Sequence, residues 1–88
     1  MLKISDAGTS GPDVTLVLDG RVTGRWVEVL RGCCDDALDS GARLTLDLSH
    51  VSFADVEGIA LLRSLTDRQV RFVNASPFVT EQMRRAPL

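Results

Sequence analysis

Apolar and polar positions change their period several times along the chain, and each period names an element. Val14-Thr15-Leu16-Val17-Leu18 is apolar and β-branched and closes on Asp19-Gly20, the pattern of a strand buried on at least one face. A weaker strand is expected at Leu2 to Ser5. Asp6 to Asp13 carries Gly8, Ser10, Gly11 and Pro12 and reads as a loop joining the two strands into an antiparallel pair.

From Gly24 to Ser40 the period becomes helical. Placed at intervals of about 100°, Trp26, Val27, Val29, Leu30, Cys33, Cys34, Ala37 and Leu38 share about half of the circle. Glu28, Arg31, Gly32, Asp35, Asp36 and Asp39 take the other half, and Gly41 supplies the stop. Arg43 to Leu48 then alternates with period two, with Leu44, Leu46 and Leu48 on one face. A turn is expected from Ser49 to Ala54.

Asp55 is placed to cap a second helix reaching about Arg68. Its inward face is Gly58, Ile59, Leu61, Leu62 and Leu65; Glu57, Ala60, Arg63, Ser64, Asp67 and Arg68 face outward. Val56 breaks the pattern, because in the first turn it projects from the polar side beside Ala60. Val70 to Val73 is the next strand, and Ser76-Pro77 opens a short third helix with serine as N-cap and proline at the first helical position.

The order is β-β-α-β-α-β-α. A strand, a long crossover helix and a further strand make a right-handed parallel unit, so the expected fold is an α/β mixed sheet of four strands with flanking helices. In such sheets ligands and partners meet the carboxyl ends of the parallel strands. Those ends are expected in the segments Gly20 to Gly24, Ser49 to Asp55 and Asn74 to Ser76.

Composition narrows the possible roles. With 88 residues, 44% hydrophobic and 25% charged, the chain is expected to form one small domain over residues 1–88. A formal charge of −2 lacks the basic field that nucleic acid or an anionic membrane attracts. Apolar runs are too short for membrane insertion and no secretory pattern follows Met1, so a cytoplasmic location is expected. Cys33 and Cys34 are adjacent, which disfavours an ordinary disulfide, and they fall on the apolar half of their helix as small hydrophobes.

Candidate chemistry is sparse. Asp47, Ser49, His50, Ser52 and Asp55 include every residue type of a hydrolase triad, but neighbours along an extended turn diverge, and no G-x-S-x-G elbow is present. The plainer expectation is that Ser49 and Ser52 bond turn backbone and His50 is exposed. Asp35, Asp36 and Asp39 lack calcium-loop spacing and read as a solvated face. No glycine pattern makes a nucleotide-binding loop, and no cofactor or metal is expected. Trp26 reads as a core or lid residue, and Gly58 as a point of close packing.

The run Leu44-Thr45-Leu46-Asp47-Leu48-Ser49-His50-Val51-Ser52-Phe53-Ala54-Asp55-Val56-Glu57-Gly58-Ile59-Ala60-Leu61-Leu62 resembles the STAS domain of anti-sigma-factor antagonists. That family shows a strand ending in Asp-Leu-Ser, a short turn, and Phe-x-Asp-Ser-x-Gly-Leu opening an apolar helix. Leu18-Asp19-Gly20-Arg21-Val22 is similar to its Leu-x-Gly-x-Leu, and the resemblance spans about residues 13 to 85.

The resemblance implies a non-enzymatic bacterial switch that docks on a protein partner, regulates transcription, and is controlled by phosphorylation of the serine after the aspartate. Here that serine is Val56, so no phosphorylation is expected there, and Thr23 replaces a second acidic residue of the site. The expected partner-binding residues are Thr23, Phe53, Asp55, Val56, Glu57 and Ala60, with the Arg21 to Gly24 segment beside them. The resemblance leaves the partner open between an anti-sigma kinase or regulatory complex and, as in the small STAS subunit of lipid-transporting ABC systems, a transporter ATPase. It also leaves open oligomeric state and whether Ser49, Ser52 or Thr23 is phosphorylated instead. A ligand-binding protein or enzyme using Asp47, His50 and Asp55 is the remaining alternative.

Overall fold

A computed structural model describes residues 1–85 of the chain, so the last three positions of the expected 1–88 domain lie outside the described residues. The elements are β1 (Leu2–Ser10), β2 (Asp13–Val22), α1 (Arg25–Asp39), β3 (Arg43–Ala54), α2 (Val56–Asp67), β4 (Arg71–Val73) and α3 (Pro77–Arg85). The sheet runs β1-β2-β3-β4, with β1 antiparallel to β2 and the rest parallel. This is the expected α/β order.

Because the strand order advances in one direction, two right-handed crossovers carry their helices to the same face. Accordingly α1 packs on α2, and α2 on α3. Leu44, Leu46 and Leu48 are fully or nearly fully buried beneath the helices, whereas Thr45 and Asp47 between them remain partly open on the opposite face. The core joins Leu18, Val22, Leu30, Leu46, Leu48, Leu62, Leu65 and Val79. Each such side chain contributes about 1.5–3 kcal/mol through burial.

Three strands run further than the sequence pattern predicts, among them β2, which continues through Asp19-Gly20 to Val22. The Asp6 to Asp13 segment is not an open loop: β1 continues to Ser10, and only Gly11-Pro12 separates the Ser10 and Asp13 pair. Gly11 takes φ 61, the positive value wanted at the first central position of a two-residue hairpin. A register shift between Asp6 and Gly8 absorbs the irregular residues, and the Gly8 N–H donates to Asp6 Oδ1 at 2.8 Å.

Likewise Ser49 to Ala54 is strand rather than turn. Asp19, Gly20, Arg21 and Val22 of β2 pair with His50, Val51, Phe53 and Ala54, with register shifts between Val17 and Asp19 and between Gly20 and Arg21. These shifts end the strict alternation after Leu48 and put Val51 and Ala54 in the core. Backbone pairing overrides the turn preference of Ser49 and Ser52.

The helix faces follow the expected pattern with three corrections. Val29 falls on the apolar half of α1 by its period but is 45% exposed, because the buried stripe is the narrower Val27, Leu30 and Cys34. Arg63, expected outward, is half-buried, as its long apolar stem permits. Asp35, expected on a solvated face, forms an ion pair with Arg68 and ties α1 to the end of α2.

Candidate docking site

The start of α2 is built by one carboxylate. Asp55 is the N-cap, and its Oδ1 accepts the Gly58 N–H at 2.7 Å. This satisfies a backbone donor left free by helix geometry, and the negative charge suits the positive end of the helix dipole. Its Oδ2 accepts the Gly24 N–H at 3.0 Å, and its own N–H donates to the Val22 carbonyl at 3.2 Å. The expected N-cap is present, but both carboxylate oxygens already bond within the chain.

Val56 is 80% exposed as the first residue of α2. Glu57 and Ala60 are exposed beside it along the helix, while Thr23 in the β2–α1 connection is half-buried. At the end of β3, Phe53 is 39% exposed and stacks on Phe78, with ring centroids 6.2 Å apart. Phe78, in the first turn of α3, is 55% exposed and was missed from the sequence. The signal was its place directly after Pro77, one position before the buried Val79 that anchors α3. Gln82 ties the same helix down by donating from Nε2 to the Ala54 carbonyl at 3.0 Å.

The alternative set Asp47, His50 and Asp55 is not joined into a catalytic array by its hydrogen bonds. Asp47 Oδ1 accepts the Ser49 N–H at 2.9 Å and Oδ2 accepts from Asn74 Nδ2 at 3.3 Å. Ser49 Oγ lies 3.1 Å from His50 Nδ1, and Asp55 is committed to α2 and Gly24. His50 is exposed, as expected. Ser52 Oγ donates to the Gly20 carbonyl at 3.4 Å, so it bonds backbone, but across two strands rather than within a turn. These bonds do not form a base oriented by a carboxylate, as a serine–histidine–aspartate triad has.

The Ser49 N–H and hydroxyl hold the Asp47 carboxyl below its ordinary value against the opposing effect of burial, with lesser contributions from Asn74 and the charge of His50. The Cys34 thiol is pushed up to about 12, first by burial and then by its neighbours Cys33 and Asp35. Such a thiol stays protonated and inert. Trp26 packs half-buried against the core, with the Arg25 guanidinium 5.0 Å from its ring centroid. Among the described residues no group of three or more His, Cys, Asp or Glu is arranged to hold a metal ion, and no helix is long and apolar enough to cross a membrane.

The mixed sheet, the one-sided helices and the capped start of α2 define a STAS-type α/β domain. The fold matches the solved structure of the anti-sigma factor antagonist SpoIIAA in its unphosphorylated form, with a TM-score of 0.75 and 19% sequence identity. The match covers 97% of this chain and 84% of that one. No curated protein matches the sequence. Residues 5–88 match the family described as "Mlab, STAS domain", and the chain belongs to that family.

Proposed function

We propose that this STAS domain is a non-enzymatic regulatory module that docks on a signalling protein through the start of α2, without a serine phosphorylation switch at that point. The observation that carries the reading is Val56, an apolar residue 80% exposed where the sequence resemblance places a phosphorylatable serine. Its side chain has no hydroxyl to accept a phosphoryl group, and Asp55 already caps the helix. Phe53, Glu57, Ala60 and the segment around Thr23 complete the contact surface, and the Phe53–Phe78 stack extends it onto α3. Exposed aromatic and apolar groups of this kind anchor interfaces by leaving water on contact.

A second reading keeps the surface and changes the partner to the ATPase of a lipid-transporting ABC system. The same valine favours it, since a contact that phosphorylation cannot interrupt suits a permanently assembled subunit.

The test is capture of partners from native extract by the tagged chain, with Val56→Arg as control and identification by mass spectrometry. An anti-sigma kinase lost in the variant supports the first reading, and an ABC ATPase lost in the variant supports the second. An identical set of captured proteins from both forms removes Val56 from the docking surface.

A further inference from the structure

We infer that Asp55 is a positioning residue: its carboxylate latches the Thr23-Gly24 segment onto the start of α2, so that this segment and Val56 are held as one surface. This inference rests on the docking reading, and it changes the part assigned to Asp55 from partner contact to internal support.

The geometry of the junction carries the argument. One oxygen of Asp55 serves Gly58, three residues ahead, and the other serves Gly24, 31 residues behind. Gly24 is the N-cap of α1 and makes no side-chain cap bond, and its own N–H, which the helix does not use, donates to Asp55. It does so with φ 55 and ψ −133, a conformation that a residue with a Cβ rarely adopts. A single negative charge therefore stands at the N-termini of both α1 and α2, where the two helix dipoles favour it.

Two further contacts fasten the same junction. The Val22 carbonyl accepts the Asp55 N–H at 3.2 Å, and α2 approaches it so closely that a Cβ on Gly58 would lie 2.2 Å from that oxygen. From Gly24 onward the chain enters α1 at once: the Thr23 carbonyl accepts from Trp26 and the Gly24 carbonyl from Val27, each at 3.1 Å. Thr23 is therefore held relative to Val56 from both sides, by the Val22 contacts before it and by the Asp55–Gly24 bond after it. An ordinary helix cap needs only the Gly58 bond; the Gly24 bond is what the latch adds.

Asp55→Ser separates the two functions, since a serine hydroxyl can cap α2 but cannot also reach back to Gly24. Amide hydrogen exchange of the whole chain by NMR should show Gly24 exchanging about tenfold faster in Asp55→Ser, while Gly58 stays protected. Asp55→Ala should expose both amides. Val56-dependent partner capture should weaken in Asp55→Ser although Val56 is intact. Equal Gly24 exchange in wild type and Asp55→Ser overturns the latch. Faster Gly24 exchange with undiminished capture overturns its positioning role. If wild type captures no Val56-dependent partner, the docking reading fails, and Gly24 exchange still decides the latch by itself.

Discussion

Gly58 of α2 lies against the carbonyl of Val22 at the end of β2, and a Cβ added at Gly58 would sit 2.2 Å from that oxygen. The contact sets how closely the helix start approaches the sheet, and it explains a glycine inside the helix. Helix propensity alone favours alanine over glycine by about 1 kcal/mol. The clash is with backbone, which cannot swing aside as a flexible side chain would. Gly58→Ala is therefore expected to destabilise the protein by about 1–3 kcal/mol in urea denaturation, and a gain in stability would show that α2 can move outward freely.

Val56 and Leu62 lie on one helix and should respond in opposite ways. Val56→Arg should leave stability within about 0.5 kcal/mol of wild type, because the side chain is 80% exposed. Leu62→Ala should cost about 2–5 kcal/mol, because Leu62 is 0% exposed within the core. Thermal and chemical denaturation of both variants check the helix register, which comparable losses would contradict.

Asp47 gives the acid limb of stability a specific origin. Its carboxyl titrates below its ordinary value because the folded chain donates hydrogen bonds to the ionised form, first from Ser49. The contribution is present above the unfolded value of about 3.9 and is lost as pH falls through the folded value. Asp47→Asn should therefore lose less stability than wild type between pH 7 and pH 3, as read from denaturation midpoints. Parallel acid limbs in the two proteins would show that these bonds do not favour the ionised form.

Cys34 governs an alkaline effect of opposite sign. With its folded value raised from 9.0 to about 12, the thiol keeps its proton in the folded chain while the unfolded chain releases it. Stability should be undiminished by this group below pH 9 and should decline between pH 9 and 12, less so in Cys34→Ala. Native protein at pH 8 should also resist alkylation at Cys34 until denaturant is added, by peptide mass mapping. Rapid native modification would place the thiol outside the core.

Element order, the buried face of α2, the Ser76 cap of α3 and the exposure of Val56 were legible in the sequence, since local period and capping chemistry act over a few residues. The Val79 N–H donates to Ser76 Oγ at 3.1 Å, and Asp55 caps α2, as the residue types required. The lengths of β1, β2 and β3 were not legible. They depend on partner strands that satisfy the backbone of Ser10 and of Ser49 to Ala54, and on register shifts that break the alternation a single strand displays.

The tertiary structure alone decided which distant groups meet. Phe53 and Phe78 stack although a strand and two helix starts separate them in the chain, and Asp35 pairs with Arg68 across two helices. The second oxygen of Asp55 finds Gly24 only because β2 and β3 end side by side. Local sequence determines the shape of each element and which side is apolar. The one-sided packing of three helices on the sheet then determines which remaining groups come together at the start of α2, because those contacts exist only after the core has closed.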